Sequence, residues 1–69
     1  MKAYLLTSDN CEPCVAMKEH FADLIKTGEI IEKNLEKEGD EVATLMAKYE
    51  ANLPSLLFIA ENGDLILSI

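Results

Sequence analysis

The chain has 69 residues, of which 49% are hydrophobic, three are glycine and two are proline. This length allows one small domain, residues 1–69, and the composition excludes a disordered tail or a flexible linker. Thirteen acidic residues against six lysines give a formal net charge of −7. Because this is the wrong sign for neutralising phosphates, we expect neither nucleic acid nor an anionic membrane surface as a partner.

The apolar segments are short. The longest, residues 56–60, is far below the roughly 20 residues that a membrane span needs. Residues 3–6 are too few for the apolar centre of a signal peptide, and a secreted domain of this size is expected to carry more than two cysteines. We therefore expect a cytoplasmic protein.

Strand and helix signals alternate in the first half of the chain. Residues 2–7 form an apolar run that ends in a Ser-Asp-Asn turn cluster, which predicts a buried strand. From Pro13, apolar residues recur at helical spacing until Gly28, which predicts one helix that ends at this glycine. A second strand is predicted over 29–35, with a turn at 36–39.

The second half predicts a helix and a hairpin. Asp40 is a suitable N-cap for a helix whose apolar face comprises Val42, Leu45, Met46 and Tyr49. Residues 55–60 and 65–69 are predicted strands, joined by an Asn-Gly hairpin turn. The predicted order is β-α-β-α-β-β, an α/β fold with a four-stranded mixed sheet, a right-handed crossover between the first two strands and a closing antiparallel hairpin.

The motif Cys11-Glu12-Pro13-Cys14 lies between the first strand and the first helix. Cys11 is predicted at the amino end of the helix, where the helix dipole and unpaired N–H groups favour the thiolate, the nucleophile of disulfide exchange. Cys14, one turn further, is expected to face the core and to attack the mixed disulfide formed on Cys11. Pro13 suits the first helical turn. The negative charge of Glu12 opposes a further negative charge on the Cys11 sulfur. A thiol in such surroundings favours reduction of substrates over their oxidation.

Two other interpretations of the cysteine pair stay open. A structural disulfide would close so short a loop that it constrains little of the unfolded chain. A structural zinc site uses four ligands, whereas Cys11 and Cys14 supply two, and His20 is turned away on the predicted helix. Two chains together could supply four cysteines, so a metal site on one chain or across a dimer stays open as the alternative, while no metal and no cofactor is predicted.

These residues together resemble the thioredoxin and glutaredoxin superfamily. The resemblance rests on the Cys-x-x-Cys pair after a strand, on Leu-Pro-Ser-Leu-Leu-Phe-Ile at 53–59 and on Asn-Gly-Asp at 62–64, and it covers almost the whole chain. It implies a minimal thioredoxin-like fold that lacks the family's carboxy-terminal helix, and a thiol-disulfide oxidoreductase that reduces protein disulfides. It also implies a cis Leu53–Pro54 bond, with Leu53 and Pro54 binding an extended substrate.

The partners implied by the resemblance are a disulfide-containing protein substrate and a reductase or thiol donor that reduces the cysteines again. Leu5 stands where thioredoxins hold a buried acid, so deprotonation of Cys14 is expected to need water or another base. The Gly-Gly segment with which glutaredoxins hold glutathione has no counterpart in residues 64–69. Because fold alone does not decide function, a metal-binding or redox-inactive thioredoxin-like binding module is the alternative.

The last strand is expected to lie at a sheet edge beside an uncovered apolar face. Regular alternation sends Leu65, Leu67 and Ile69 to one face of the sheet, and Ile66 and Ser68 to the other. Without a carboxy-terminal helix, one face beside this strand is expected to be bare. An apolar face next to an open edge predicts a homodimer through the fourth strand.

Overall fold

The computed structural model describes residues 1–69, all of the chain, as four strands and three helices. In chain order these are β1 (Lys2–Thr7), α1 (Glu12–His20), α2 (Ala22–Thr27), β2 (Ile31–Asn34), α3 (Gly39–Tyr49), β3 (Ser55–Ile59) and β4 (Leu65–Ser68). The strands form one open sheet in the order β2-β1-β3-β4. β1 is parallel to β2 and antiparallel to β3, and β4 is antiparallel to β3. The predicted α/β class, the mixed four-stranded sheet and the closing hairpin are confirmed.

Apolar side chains of the central strands point to both faces of the sheet. One face carries a cluster on which α1 and α2 pack, made of Ala3, Leu5, Ile30 and Leu56. The other carries a cluster that α3 covers, made of Leu6, Ala51, Leu57 and Ile59. Burying one such leucine stabilises the fold by roughly 1.5–3 kcal/mol, so these clusters hold the helices against the sheet. Successive residues of a strand point to opposite faces of the sheet, so the continuous apolar run of β1 supplies side chains to both clusters.

The first helix differs from its prediction as one continuous helix over 13–28. It is interrupted at Phe21, whose backbone (φ −105°, ψ 19°) leaves the helical conformation and separates α1 from α2. The Phe21 side chain packs against the cluster around Leu5, so a packing contact accompanies the break. Neither these helices nor α3 combines the length and the apolar character that crossing a membrane requires.

Both predicted glycine turns are confirmed. Gly28 ends α2 with φ +89°, a left-handed conformation that glycine adopts without a steric penalty. Gly63 has φ +94° in the turn between β3 and β4, where its N–H donates to the carbonyl of Ala60 at 2.9 Å. The Asn62 side chain accepts the N–H of Asp64 at 3.0 Å, so the Asn-Gly pair forms the turn that closes the hairpin.

The predicted N-cap at Asp40 is wrong. The cap residue is Glu38, which makes no capping hydrogen bond with its side chain, and its carbonyl accepts the N–H of Val42 at 2.9 Å. The helix therefore begins at Gly39 and includes Asp40 in its first turn. A carboxylate is still favourable there, because the amino end of a helix carries a partial positive charge.

The predicted alternation along β4 is also wrong. The register pairs Ile59 with Leu65 and Phe58 with Leu67, and a bulge accommodates the extra residue, Ile66. Because Phe58 and Ile59 are neighbours that face opposite sides of the sheet, Leu65 and Leu67 lie on opposite faces rather than on the same face. Leu67 shares the face that α1 and α2 cover.

Candidate functional site

The cysteine pair begins α1 at the carboxyl end of β1. Cys11 and Cys14 form a disulfide, with their Cα atoms 5.1 Å apart. Cys11 is the N-cap, in an extended conformation (φ −127°, ψ 105°), and its Sγ accepts the backbone N–H of Cys14 at 3.2 Å. Pro13 occupies the first turn, as the sequence predicts, and the helix begins one residue earlier, at Glu12. The sulfur of Cys11 therefore sits at the positive end of the helix, facing an N–H donor.

The two sulfurs differ in their access to solvent. Cys14 is fully buried, with a relative exposure of 0%, whereas Cys11 is half-buried. The prediction that Cys14 faces the core is confirmed. Solvent therefore reaches the Cys11 side of the disulfide but not the Cys14 side.

Leu53 and Pro54 lie beside the start of the cysteine loop. Ser55 pairs with Leu6 near the end of β1, which brings the two preceding residues to the edge of the sheet from which that loop leaves. The Leu53–Pro54 peptide bond is cis, which confirms the prediction. The Leu53 side chain packs against the cluster that α3 covers, while its backbone N–H and C=O make no hydrogen bond within the chain. These two groups are free to pair with another segment.

A buried asparagine holds the cysteine loop in place. The Asn34 amide donates to the Asp9 carboxylate at 3.0 Å, and its oxygen accepts the N–H of Glu36 at 2.9 Å. The Glu36 carboxylate accepts the Ser8 hydroxyl at 2.7 Å and the N–H of Asp9 at 3.2 Å. Asn34 is not among the site residues predicted from the sequence, although an asparagine at the end of a predicted strand is the signal for such a side-chain-stabilised turn.

A second polar group fixes α1 to the sheet edge. The Thr7 hydroxyl, fully buried, donates to the Glu32 carboxylate at 2.8 Å, and the Lys18 ammonium lies 3.1 Å from the same oxygen. Lys18 follows Cys14 by one helical turn, so this ion pair anchors the part of α1 just beyond the cysteines. These contacts could not be predicted from the sequence either, because they join residues from three separate elements.

The structure contains no group of three or more His, Cys, Asp or Glu side chains arranged to hold a metal ion, and no enclosed pocket. His20 is exposed at the end of α1, with its ring 4.7 Å from that of Phe21.

Fold and site define a small α/β protein with a four-stranded mixed sheet and a solvent-accessible disulfide at a helix amino terminus. Comparison with protein-family models, with curated proteins and with solved structures gives no match to this chain. Its function is therefore inferred from the geometry of the cysteine pair.

Proposed function

We propose that the chain is a thiol-disulfide oxidoreductase of minimal thioredoxin-like fold that reduces disulfides in protein substrates. The observation that carries this proposal is the Cys11–Cys14 pair, with one sulfur accessible and the other buried at the amino end of α1. The parallel β1–β2 pair, the antiparallel hairpin of β3 and β4, and the helices on both faces of the sheet support the thioredoxin-like fold.

The first chemical step takes place at Cys11. In the reduced protein its thiolate is stabilised by the Cys14 N–H, which lies 3.2 Å from Sγ in the oxidised form, and by the helix dipole. The thiolate attacks one sulfur of the substrate disulfide. A bond forms between Cys11 and that sulfur, the substrate S–S bond breaks, and the departing substrate thiolate takes a proton from water.

The second step releases the reduced substrate. The Cys14 thiol gives its proton to water, and the resulting thiolate attacks the Cys11 sulfur. The mixed disulfide breaks, the second substrate sulfur leaves as a thiolate and is protonated, and the Cys11–Cys14 disulfide forms. Two electrons have then passed from the protein to the substrate, and a thiol donor or a reductase must return them before the next cycle.

The backbone of Leu53 is the proposed docking element, together with Pro54. Its unpaired N–H and C=O lie at the same end of the sheet as the cysteine loop. An extended peptide that pairs with both groups adds a short strand-like contact and holds its disulfide near Cys11. Main-chain pairing of this kind is compatible with many side chains, so it accommodates substrates of differing sequence.

The experiment is insulin reduction in dithiothreitol, followed by turbidity, with Cys11→Ser and Cys14→Ser as a matched pair. The unmodified protein accelerates reduction over dithiothreitol alone. Cys11→Ser abolishes the acceleration, whereas Cys14→Ser accumulates a mixed disulfide that intact-mass measurement detects, because the second step is blocked. Absence of any acceleration by the unmodified protein contradicts the proposal.

Zinc analysis of the same purified protein separates the two alternatives that the sequence leaves open. Zinc that is lost in both serine variants, without insulin reduction, would identify a metal-binding module that two chains complete. Neither zinc nor reduction would identify a redox-inactive binding module. The complete burial of Cys14 argues against a shared zinc site, because a second chain cannot approach this sulfur in the present fold.

A further inference from the structure

Ion pairs balance the charge of only three of the thirteen acidic residues. The ion pairs of the structure engage Lys18 and Lys33, and their glutamate partners belong to β2, α3 and the turn between them. The carboxylates that flank the loop take part in none of these pairs. We call these residues the acidic rim: Asp9, Glu12 and Glu36.

Hydrogen bonds fix two carboxylates of the acidic rim in place without neutralising them. Asp9 is held by the Asn34 amide at 3.0 Å, and Glu36 by the Ser8 hydroxyl at 2.7 Å. These donors are uncharged, and neither carboxylate forms an ion pair. Glu12 follows Cys11 directly in the first turn of α1, and all three residues of the rim are exposed.

The acidic rim lies beside the cysteine pair, where the proposed function places the substrate. The accessible sulfur of Cys11 and the unpaired backbone of Leu53 lie at the same end of the sheet, and both act on an incoming disulfide. Every substrate therefore approaches through the field of the acidic rim. Asp9 and Glu36 are held in this position by the Asn34 network, which ties the cysteine loop to β2.

We propose that this site selects cationic substrates, namely disulfides flanked by lysine or arginine residues or small disulfides that carry ammonium groups. The inference rests on the proposed function and names its substrate class. Negative potential at a binding site raises the encounter rate of positive ligands by about 10 to 1,000-fold, and salt screens the effect. Anionic disulfides such as oxidised glutathione are disfavoured by the same charges.

The test compares three small disulfides of different charge: cystamine (dicationic), bis(2-hydroxyethyl) disulfide (neutral) and 3,3′-dithiodipropionate (dianionic). The reduced protein reacts with each, and formation of the Cys11–Cys14 disulfide is followed by quenched-flow mass measurement. Each rate is divided by the rate with dithiothreitol, an uncharged dithiol, which removes the intrinsic difference between leaving thiols. We expect the normalised rate for cystamine to exceed that for dithiodipropionate by about tenfold or more at low salt.

Salt and charge variants identify the source of this preference. The preference for cystamine should shrink as the salt concentration rises from about 0.01 M to about 1 M, because the Debye length falls from about 30 Å to about 3 Å. The variant Asp9→Asn/Glu12→Gln/Glu36→Gln keeps side-chain shape and hydrogen-bond acceptors but removes the three charges, and it should lose most of the preference. The matched control changes three exposed acids at the opposite end of the sheet, Asp23→Asn/Glu29→Gln/Glu61→Gln, and should retain it.

The outcomes separate this inference from the proposed function. Equal normalised rates for the three disulfides, or an equal loss of preference in both triple variants, overturn the acidic rim as the cause of selectivity. The neutral disulfide tests the exchange activity alone. Failure to reduce even this compound overturns the proposed function and the substrate class with it, whereas its reduction without any charge preference overturns the substrate class and leaves the oxidoreductase intact.

Discussion

Cys11 and Cys14 differ in the property that decides which thiol reacts first, their access to solvent. Cys14 is fully buried at the first inward turn of α1, and Cys11 is half-buried at its N-cap. We predict that limiting iodoacetamide alkylates Cys11 before Cys14 in the reduced protein, since the thiolate is the reactive form and is favoured at the helix amino end. Peptide mapping by mass spectrometry gives the order of labelling.

The control for this prediction is the same labelling in denaturant, where helix and burial are lost and the two cysteines should react at similar rates. Preferential labelling of Cys14 in the folded protein would reverse the roles of attacking and resolving thiol. Similar rates in folded and unfolded protein would mean that the fold does not distinguish the two sulfurs.

At the scale of elements, Lys33 connects β2 to the beginning of α3. Its ammonium lies 3.2 Å from both carboxylate oxygens of Glu41 and 3.4 Å from Glu38. The hydrogen bond to Glu41 is the largest influence and raises the pKa of Lys33 above 10.5, with support from Glu38 and opposition from desolvation. Because the pKa is raised in the folded state, this contribution to stability is fully present below the unfolded pKa and is lost as the pH rises through the folded value.

Replacing Lys33 by methionine should therefore lower the free energy of unfolding by about 0.5–1 kcal/mol at neutral pH. The deficit relative to the unmodified protein should shrink as the pH rises above 10.5, the ordinary lysine pKa. Urea denaturation at several pH values from neutral to above 10.5 measures this deficit. The control is Lys26→Met, because Lys26 lies in α2 and forms no ion pair. A deficit that stays constant with pH would assign the effect to packing of the side-chain stem.

Elements that depend on local signals could be predicted from the sequence, and those that depend on distant contacts could not. The run 2–7, the stop at Gly28 and the Asn-Gly turn each carry their own residue preferences, and all three are confirmed. The break at Phe21 and the bulge of β4 have no such local signal. The break accompanies the packing of Phe21 against the core, and the bulge accompanies the register between β3 and β4. Neither could be predicted from periodicity, because a periodic pattern assumes regular structure throughout an element.

The same division applies to the candidate site. The cysteine pair was visible because its members are three residues apart in sequence and one helical turn apart in space. The network that holds their loop was not, since Asn34 and Asp9 are 25 residues apart and the Asp9 N–H and Glu36 are 27 apart. Contacts at such separations depend on the register in which β1 pairs with β2, Thr7 opposite Asn34, and only the folded chain reveals this register.

For the whole molecule, the two edges of the sheet differ in their protection. The β2 edge carries Glu32 and Lys33, both engaged in ion pairs, and charged side chains at an edge oppose pairing with another strand. Residues 65–69 at the β4 edge carry no charged side chain, and the relative exposures of Ile66, Leu67 and Ile69 are 57%, 52% and 62%. The apolar and unprotected edge is therefore β4.

A second copy of the chain fits this edge by charge. Antiparallel pairing of two β4 strands about a two-fold axis joins segments that have no charged side chains. It also sends the acidic turns at 61–64 to opposite ends of the joined strands, which keeps these charges apart in a pair of chains that each have a net charge of −7. Leu67 lies opposite Phe58, on the face that α1 and α2 cover, and would be buried by such pairing.

We predict a dimer with a mass of about twice 7.7 kDa in light scattering. Leu67→Lys should convert it to a monomer, because an ammonium group cannot be buried unpaired in an apolar contact and lysine is a usual protection of edge strands. The matched control is Ile31→Lys, which changes an exposed apolar residue of the β2 edge and should leave the mass unchanged. If Ile31→Lys dissociates the dimer instead, the interface lies at the β2 edge. If the unmodified protein is a monomer even at high concentration, the bulge of β4 is itself enough to prevent pairing.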